Sequence, residues 1–317
     1  MTTVTKNVKI SGVALHSGLP VNMVVKPSKK PGIFFKRVDI PNSELIPVTF
    51  DNINCDNFYR STIVGDKKGV HVKTIEHFMA SLFLLGIDSA IIEIDNKETP
   101  ILDGSAFEFY KLLEKFVSNK SKMKKIIVKK TIEIKRDDLA KQLPFWKRIK
   151  TLILNHLIFR VGDGYMRLSP WDKGLRIEAI IDYNNKIIGT QYYNCILDGT
   201  KTSVKDFVDN VSKSRTFGGY AEWVWTKKHG MALGANLDNT LVLNERQDAT
   251  FNKAQYPDEF VRHKVIDIVG DMFTSGGFIY GRIESYKGSH ALDNLLLRKL
   301  FSDKSNYEIV ESNGENK

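Results

Sequence analysis

The chain has 317 residues, 42% hydrophobic and 26% charged, with a formal net charge of +10. That length suits two ordinary domains, and the mix supports a large core and excludes wholesale disorder. Two distant cysteines, Cys55 and Cys195, with no CxxC pair, exclude a disulfide scaffold or a thiolate zinc cluster and fit a reducing compartment. The N-terminus lacks an apolar signal core and no apolar run is long enough to span a bilayer, so a cytoplasmic protein is expected. The basic balance fits an anionic partner such as a phosphorylated substrate. The lysines are spread along the chain and no nucleic-acid module is present, so no nucleic-acid partner is expected.

Residues 7–14 and 20–26 read as short strands broken by His16-Ser-Gly, with further strands at 33–38 and 60–64. Thr74 to Leu85 reads as a helix with Thr74 as its N-cap, and Ala90 to Ile94 as a strand. The turn Asp103-Gly-Ser opens a second helix over about 106–117. The polar, basic stretch from Ser118 is the best linker. It divides the chain into an N-terminal domain, 1–122, a C-terminal domain, 123–301, and a charged, frayed tail, 302–317. In the second half, Lys125–Lys135, 175–182, 187–193 and 278–284 read as strands, and 232–243 as a turn and strand. Phe207–Lys213, Phe260–Phe273 and His290–Leu300 read as helices. Each half thus carries several strands and about two helices, an α+β mix without regular βαβ alternation. Such similar inventories suggest structural duplicates, although the two sequences do not visibly repeat.

Three clusters carry chemistry. Within Glu259–Phe273, the residues His263, Asp267 and Asp271 stand at i, i+4 and i+8 and share one helix face. The other positions are largely apolar, so the helix is buried and its polar stripe needs partners. A metal ion suits an imidazole and a carboxylate one turn apart, and a stripe salt-bridged to Arg262 or Lys264 is the alternative; spacing leaves both open. In Thr74-Ile-Glu-His77, Glu76 and His77 fall in a first helical turn, where the dipole favours a neutral, ligating imidazole. The plainer reading has Glu76 bonding the free N–H groups of the helix start. His290 follows the Gly288-Ser289 turn and opens a helix, as a general acid or as a polar cap. Together the clusters supply two histidines and a carboxylate as ligands, plus a spare Glu and a spare His. Hydrolysis at an open zinc site requires that inventory.

The clusters belong to an ordered set of motifs: Gly12-Val-Ala-Leu-His-Ser-Gly18, Thr74-Ile-Glu-His77, Pro100-Ile-Leu-Asp-Gly-Ser-Ala106, Ser214-Arg-Thr-Phe-Gly218, Leu237-Asp-Asn239, Glu259-Phe-Val-Arg-His-Lys264 with Asp267 and Asp271, and Tyr286-Lys with His290-Ala-Leu. In content and order they resemble the UDP-3-O-acyl-N-acetylglucosamine deacetylases of lipid A synthesis, the LpxC family, over nearly the whole chain. The resemblance implies two α+β domains, each a sheet with two helices, the helices of both packed between the sheets and the site at the junction. It implies Zn²⁺, with Fe²⁺ as an alternative, on His77, His263 and Asp267. The implied substrate is UDP-3-O-acyl-N-acetylglucosamine, which loses its acetyl group. Carried over by motif, Glu76 is the general base, His290 the general acid, Asp271 the residue that orients His290, and Thr216 a donor to the oxyanion. Lys264, Phe217 and Leu15 would contact substrate. A βαβ insert of the second domain, expected at about 187–211, would form the acyl passage. Tyr192, Tyr193, Ile196, Phe207 and Val208 are its candidate linings, and core packing accounts for each equally well.

The chain departs from the family at three places. The segment 135–164 is longer, and its basic, aromatic Leu143–Phe159 stretch reads as an interfacial membrane contact or as an element packed on the second domain. Gly234-Ala-Asn stands for Gly-Gly-Ser, and Gly288-Ser289 reverses the usual order. Two other functions fit the motifs: a non-catalytic sugar-nucleotide-binding homologue, and a zinc amidase of another acylated amino sugar. Retention of Glu76 and His290 speaks against the first.

Overall fold

Alternation of apolar and polar residues gives each sheet one apolar face. Val21, Met23 and Val25 are buried in one strand and Leu175, Ile177, Ala179 and Ile181 in another, with their neighbours turned outward. In the computed structural model the described residues are 1–53, 61–118, 124–141 and 164–311. The N-terminal half contributes β1 (Val8–Val13), β2 (Pro20–Pro27), β3 (Gly32–Arg37), β4 (Ile46–Pro47), the hairpin β5 (Ile63–Gly65) and β6 (His71–Lys73), α1 (Glu76–Leu85), β7 (Ser89–Ile94) and α2 (Phe107–Leu113). The C-terminal half begins with β8 (Lys125–Val128), β9 (Ile132–Lys135), α3 (Arg136–Lys141), β10 (Tyr165–Ser169), β11 (Leu175–Asp182), β12 (Thr190–Leu197) and α4 (Lys201–Asn210). It continues with β13 (Thr216–Gly219), α5 (Tyr220–Lys228), β14 (Thr240–Leu243), α6 (Glu259–Phe273), β15 (Phe278–Tyr286), α7 (His290–Phe301) and β16 (Tyr307–Val310).

The first sheet runs β1-β2-β7-β3-β4, antiparallel except for the parallel β7–β3 pair. The second has the path β9-β10-β15-β11-β12, antiparallel along it except for the parallel β15–β11 pair, with β8 joined in parallel to the start of β15. The order and the senses of pairing are the same. In each half one helix precedes the central strand, α1 before β7 and α6 before β15, and one follows it, α2 and α7. The fold is therefore α+β with two domains that are structural duplicates, and helices of both lie between the two sheets. One apolar cluster runs through both, from Val4 to Leu300.

Several elements differ from expectation. Lys125–Lys135 is two strands: β8 pairs with the start of β15 and with β16, and β9 pairs with β10. The tail expected to fray is in part β16, antiparallel to β8. The helix expected at 207–213 is α4, which starts earlier because Thr200 caps it, its side chain accepting from the Ser203 N–H. β10 and α5 were not expected. The stretch 187–211 is not a βαβ unit, since β12 is the antiparallel edge strand beside β11 and α4 follows it. The βαβ unit is β13-α5-β14, whose strands pair in parallel. Of the long segment, α3 is described, while 142–163, and with it the Leu143–Phe159 stretch, lies outside the described residues. No described helix is long and apolar enough to cross a membrane.

At the centre, α1 packs along α6. All ten residues of α1 are buried, as are thirteen of the fifteen in α6. The two backbones meet at Gly270, where an added Cβ would stand 2.0 Å from the Glu76 carbonyl oxygen. Alanine is the better helix former by about 1 kcal/mol, so propensity alone predicts that Gly270→Ala stabilises the protein. The contact predicts the reverse, a loss of roughly 1–3 kcal/mol from overpacking. Chemical unfolding of the variant measures it, and a variant as stable as the parent would contradict the close approach.

Candidate metal centre and active site

The start of α1 is held from outside the helix. Thr74 does not cap it; its φ is +59° and its hydroxyl donates to Glu98 at 3.0 Å. The same buried carboxylate accepts the backbone N–H of His16, at 3.0 and 3.1 Å, and of Ser17 at 3.4 Å. Glu98 thus ties the 15–18 loop to the turn that presents Glu76 and His77. On α6, Glu259 is fully buried against Arg215, accepting from its backbone N–H at 2.9 Å and its Nε at 3.0 Å. That pair clamps the Ser214–Thr216 segment to the first turn of α6.

Between the clamps, His77, His263 and Asp267 converge, each about 3% exposed. The Nε2 atoms of His77 and His263 lie 3.6 and 3.5 Å from Asp267 Oδ1. Those distances are too long for good hydrogen bonds, and Oδ1 has no hydrogen-bond partner among the described residues. His263 donates its Nδ1–H to the Ser214 carbonyl at 3.1 Å, which fixes the tautomer that aims Nε2 at the cluster. Burial pushes His263 down to about 3 against the pull of Asp267, so the imidazole is neutral. Burial acts to raise the Asp267 carboxyl, but the Lys264 ammonium, 2.8 Å from Oδ2, holds it well below the usual range. Two imidazoles and one carboxylate oxygen without a bond, buried together, fit a divalent cation with a further coordination position.

A second group adjoins the first. Glu76 accepts the Thr62 N–H on Oε2 at 2.9 Å, and its Oε1 lies 4.0 Å from His290 Nε2. Burial raises Glu76 to about 7, against the opposing pull of His290 and His77. His290 donates Nδ1–H to Asp271 Oδ2 at 2.7 Å. Burial acts to lower it, but the Asp271 and Asp267 charges outweigh that and raise it to about 10, so it carries a proton at neutral pH. The other Asp271 oxygen accepts the Thr62 hydroxyl. Ser289, not His290, caps α7, accepting from the Leu292 N–H. The arrangement pairs a carboxyl able to take a proton near neutrality with an imidazolium able to give one.

Phe217 lies edge-on to His263, with ring centroids 6.0 Å apart, and the Lys264 ammonium sits 5.7 Å from its ring centre. Thr216 opens β13, its N–H bonded to the Gly104 carbonyl. Leu15 is half-buried and its carbonyl accepts the Gly234 N–H at 3.0 Å, so it faces the βαβ unit. Tyr192 and Phe207 are not brought to this region. Tyr192 is 51% exposed on the outer face of edge strand β12, and Phe207 is buried in the core by α4. A cleft of about 480 Å³ lies instead between β1 and the βαβ unit, lined by Val13, Ile101, Leu102, Leu233 and Gly234 among others. Asn236 lines the same cleft, and its side chain accepts the N–H groups of Asp238 and Asn239 and closes a turn. Thr62, which touches Glu76, Asp271 and His290, escaped the sequence reading. Nothing around it marks a threonine whose hydroxyl partner is 209 residues away.

The chain also resembles known proteins over nearly its whole length. The sequence model of the family described as LpxC, UDP-3-O-acyl N-acetylglycosamine deacetylase, matches residues 1–302. A UDP-3-O-acyl-N-acetylglucosamine deacetylase from a Nitratiruptor species is 34% identical over 313 residues, covering 98% of this chain and 93% of its own. The protein of that name from Neisseria meningitidis serogroup C (strain 053442) is 33% identical over 314 residues, covering 98% and 92%. That from Shewanella frigidimarina (strain NCIMB 400) is 34% identical over 314 residues, covering 99% and 93%. With the duplicated α+β domains and the site between their central helices, these matches establish that the chain belongs to the LpxC family of deacetylases.

Proposed function

We propose that the chain hydrolyses the acetamide of UDP-3-O-acyl-N-acetylglucosamine, giving acetate and UDP-3-O-acyl-glucosamine, an early step of lipid A synthesis in the cytoplasm. The observation that carries the chemistry is the convergence of His77, His263 and Asp267 beside the Glu76 and His290 pair. The substrate is supported by the names of the relatives. His77, His263 and Asp267 would hold Zn²⁺, or Fe²⁺ on the same donors. When bound, the ion supplies Lewis acidity toward the acetamide carbonyl and the attacking water.

Glu76, fixed by the Thr62 N–H, takes a proton from the attacking water. The Thr216 hydroxyl donates to the acetyl oxygen as it gains charge. His290, held through Nδ1 by Asp271, passes its Nε2 proton to the departing glucosamine nitrogen. Lys264 occupies Asp267 Oδ2 and leaves Oδ1 to the ion, and with Phe217 it forms the face that meets the sugar nucleotide. The acyl chain belongs in the cleft beside β1, where Val13, Ile101, Leu102 and Leu233 offer apolar contact. A protein that only binds has no use for a buried base and acid, which favours catalysis over a binding homologue.

Acetate release from UDP-3-O-acyl-N-acetylglucosamine is expected to vanish on chelation and return with Zn²⁺. In Glu76→Ala it should fall by about 10²–10⁴-fold. Full turnover by the chelated protein, or by the variant, would refute this mechanism. For the cleft, Leu233→Glu should raise KM for the acylated substrate by about tenfold or more. KM for the same sugar nucleotide without its acyl chain should stay put, and an equal change in both would place the chain elsewhere.

A further inference from the structure

Asp293 is a buried acid that the reaction above leaves unused. It sits in the first turn of α7, 2% exposed, and its Oδ1 has no hydrogen-bond partner among the described residues. One carboxylate oxygen of Asp293, one of Asp271 and a ring nitrogen of His290 all lie within 4.8 Å of one another. The charged groups around it are few. From α6 come Asp271, Asp267 and Lys264, the last bonded to Asp267. On its own helix stands His290, with Glu76 of α1 beyond it. β11 presents Ala179, Ile180 and Ile181 to the same small space, and β15 presents Ser285. Arg136 of α3 donates to the Lys287 carbonyl, and Arg298 of α7 to Asn294 and to the Asp51 and Ile53 carbonyls.

Two carboxylates this close and this dry resist being ionised together. Asp271 has the donors that favour its charge, the Thr62 hydroxyl and the His290 N–H. Asp293 has no such donor among the described residues, so the proton resides there. Burial and the Asp271 charge both push Asp293 well above the usual carboxylate range.

We propose that Asp293 is a positioning residue: as the neutral acid it donates a hydrogen bond to Asp271, fixing the carboxylate that orients His290. Asp271 then receives three donors, from Thr62 just before β5, from the first residue of α7 and from Asp293. Its charge is shared, so it holds His290 in place without removing the proton that His290 is to deliver. The inference rests on the reading of His290 as proton donor, but its spectroscopic test needs no substrate.

The test uses the metal-replete full chain and the variants Asp293→Asn, which keeps a donor and cannot ionise, and Asp293→Leu, which loses it. Carbon-13 NMR of labelled aspartate in the parent should show a protonated Asp293 carboxyl at neutral pH. The downfield Nδ1–H proton signal of His290 should persist in Asp293→Asn and be lost or displaced in Asp293→Leu. With an active parent, Asp293→Asn should keep kcat within about threefold, and Asp293→Leu should lose about tenfold or more with KM little changed. An ionised Asp293 carboxyl would overturn the proposal. So would Asp293→Asn as damaged as Asp293→Leu, Asp293→Leu equal to the parent, or a second metal ion bound at this acid. If Asp293→Leu fails to fold, the parent spectrum and Asp293→Asn still decide. A parent that releases no acetate yet shows these signals would sink the functional reading and leave this one standing.

Discussion

The arrangement depends on one contact, the crossing of α1 and α6 at Gly270. There the backbone of one domain's central helix touches the Glu76 carbonyl of the other. These are equivalent helices of two duplicate domains, each preceding the central strand of its sheet. A side chain at the crossing would part them, and a gap between them would separate His77 from His263 and Asp267. The site is therefore a property of the interface between the halves, since neither half holds His77, His263 and Asp267 together.

Burial then sets the chemistry. The helices are almost wholly enclosed, so most titratable groups on them are either partnered or displaced from their ordinary pKa. The same dryness keeps His263 neutral and raises Glu76, while nearby carboxylates keep His290 charged. Opposite protonation states thus coexist within a few ångströms. The supports reach the helices from neighbouring segments: Glu98 under Thr74, Arg215 on Glu259 beside Thr216, and Thr62 between Glu76 and Asp271.

What the sequence disclosed follows from the range of each interaction. The spacing of His263, Asp267 and Asp271 is local, and on a helix it sets them about one turn apart on a single face. Glu76 and His77 were legible as a helix start, though Thr74 serves Glu98 rather than the helix end. The duplication lies in strand order, which similar hydrophobic patterns cannot express when the residues differ. The βαβ unit was misplaced because 187–213 reads as a strand and a helix, and only pairing shows that β12 runs antiparallel to β11. The true unit begins with the short, half-buried Thr216-Phe-Gly-Gly run and carries a helix with little apolar periodicity. Thr62 and Asp293 act through partners distant in sequence or through protonation, neither of which a motif records.

On the proposed function a cation is held by residues from both central helices. X-ray absorption at the zinc edge of the zinc-loaded protein tests it most directly. Two imidazole nitrogens and carboxylate or water oxygens are expected at about 2.0–2.2 Å, with one imidazole lost in His77→Ala and one in His263→Ala. Sulfur ligation, or a spectrum unchanged in either variant, would contradict it.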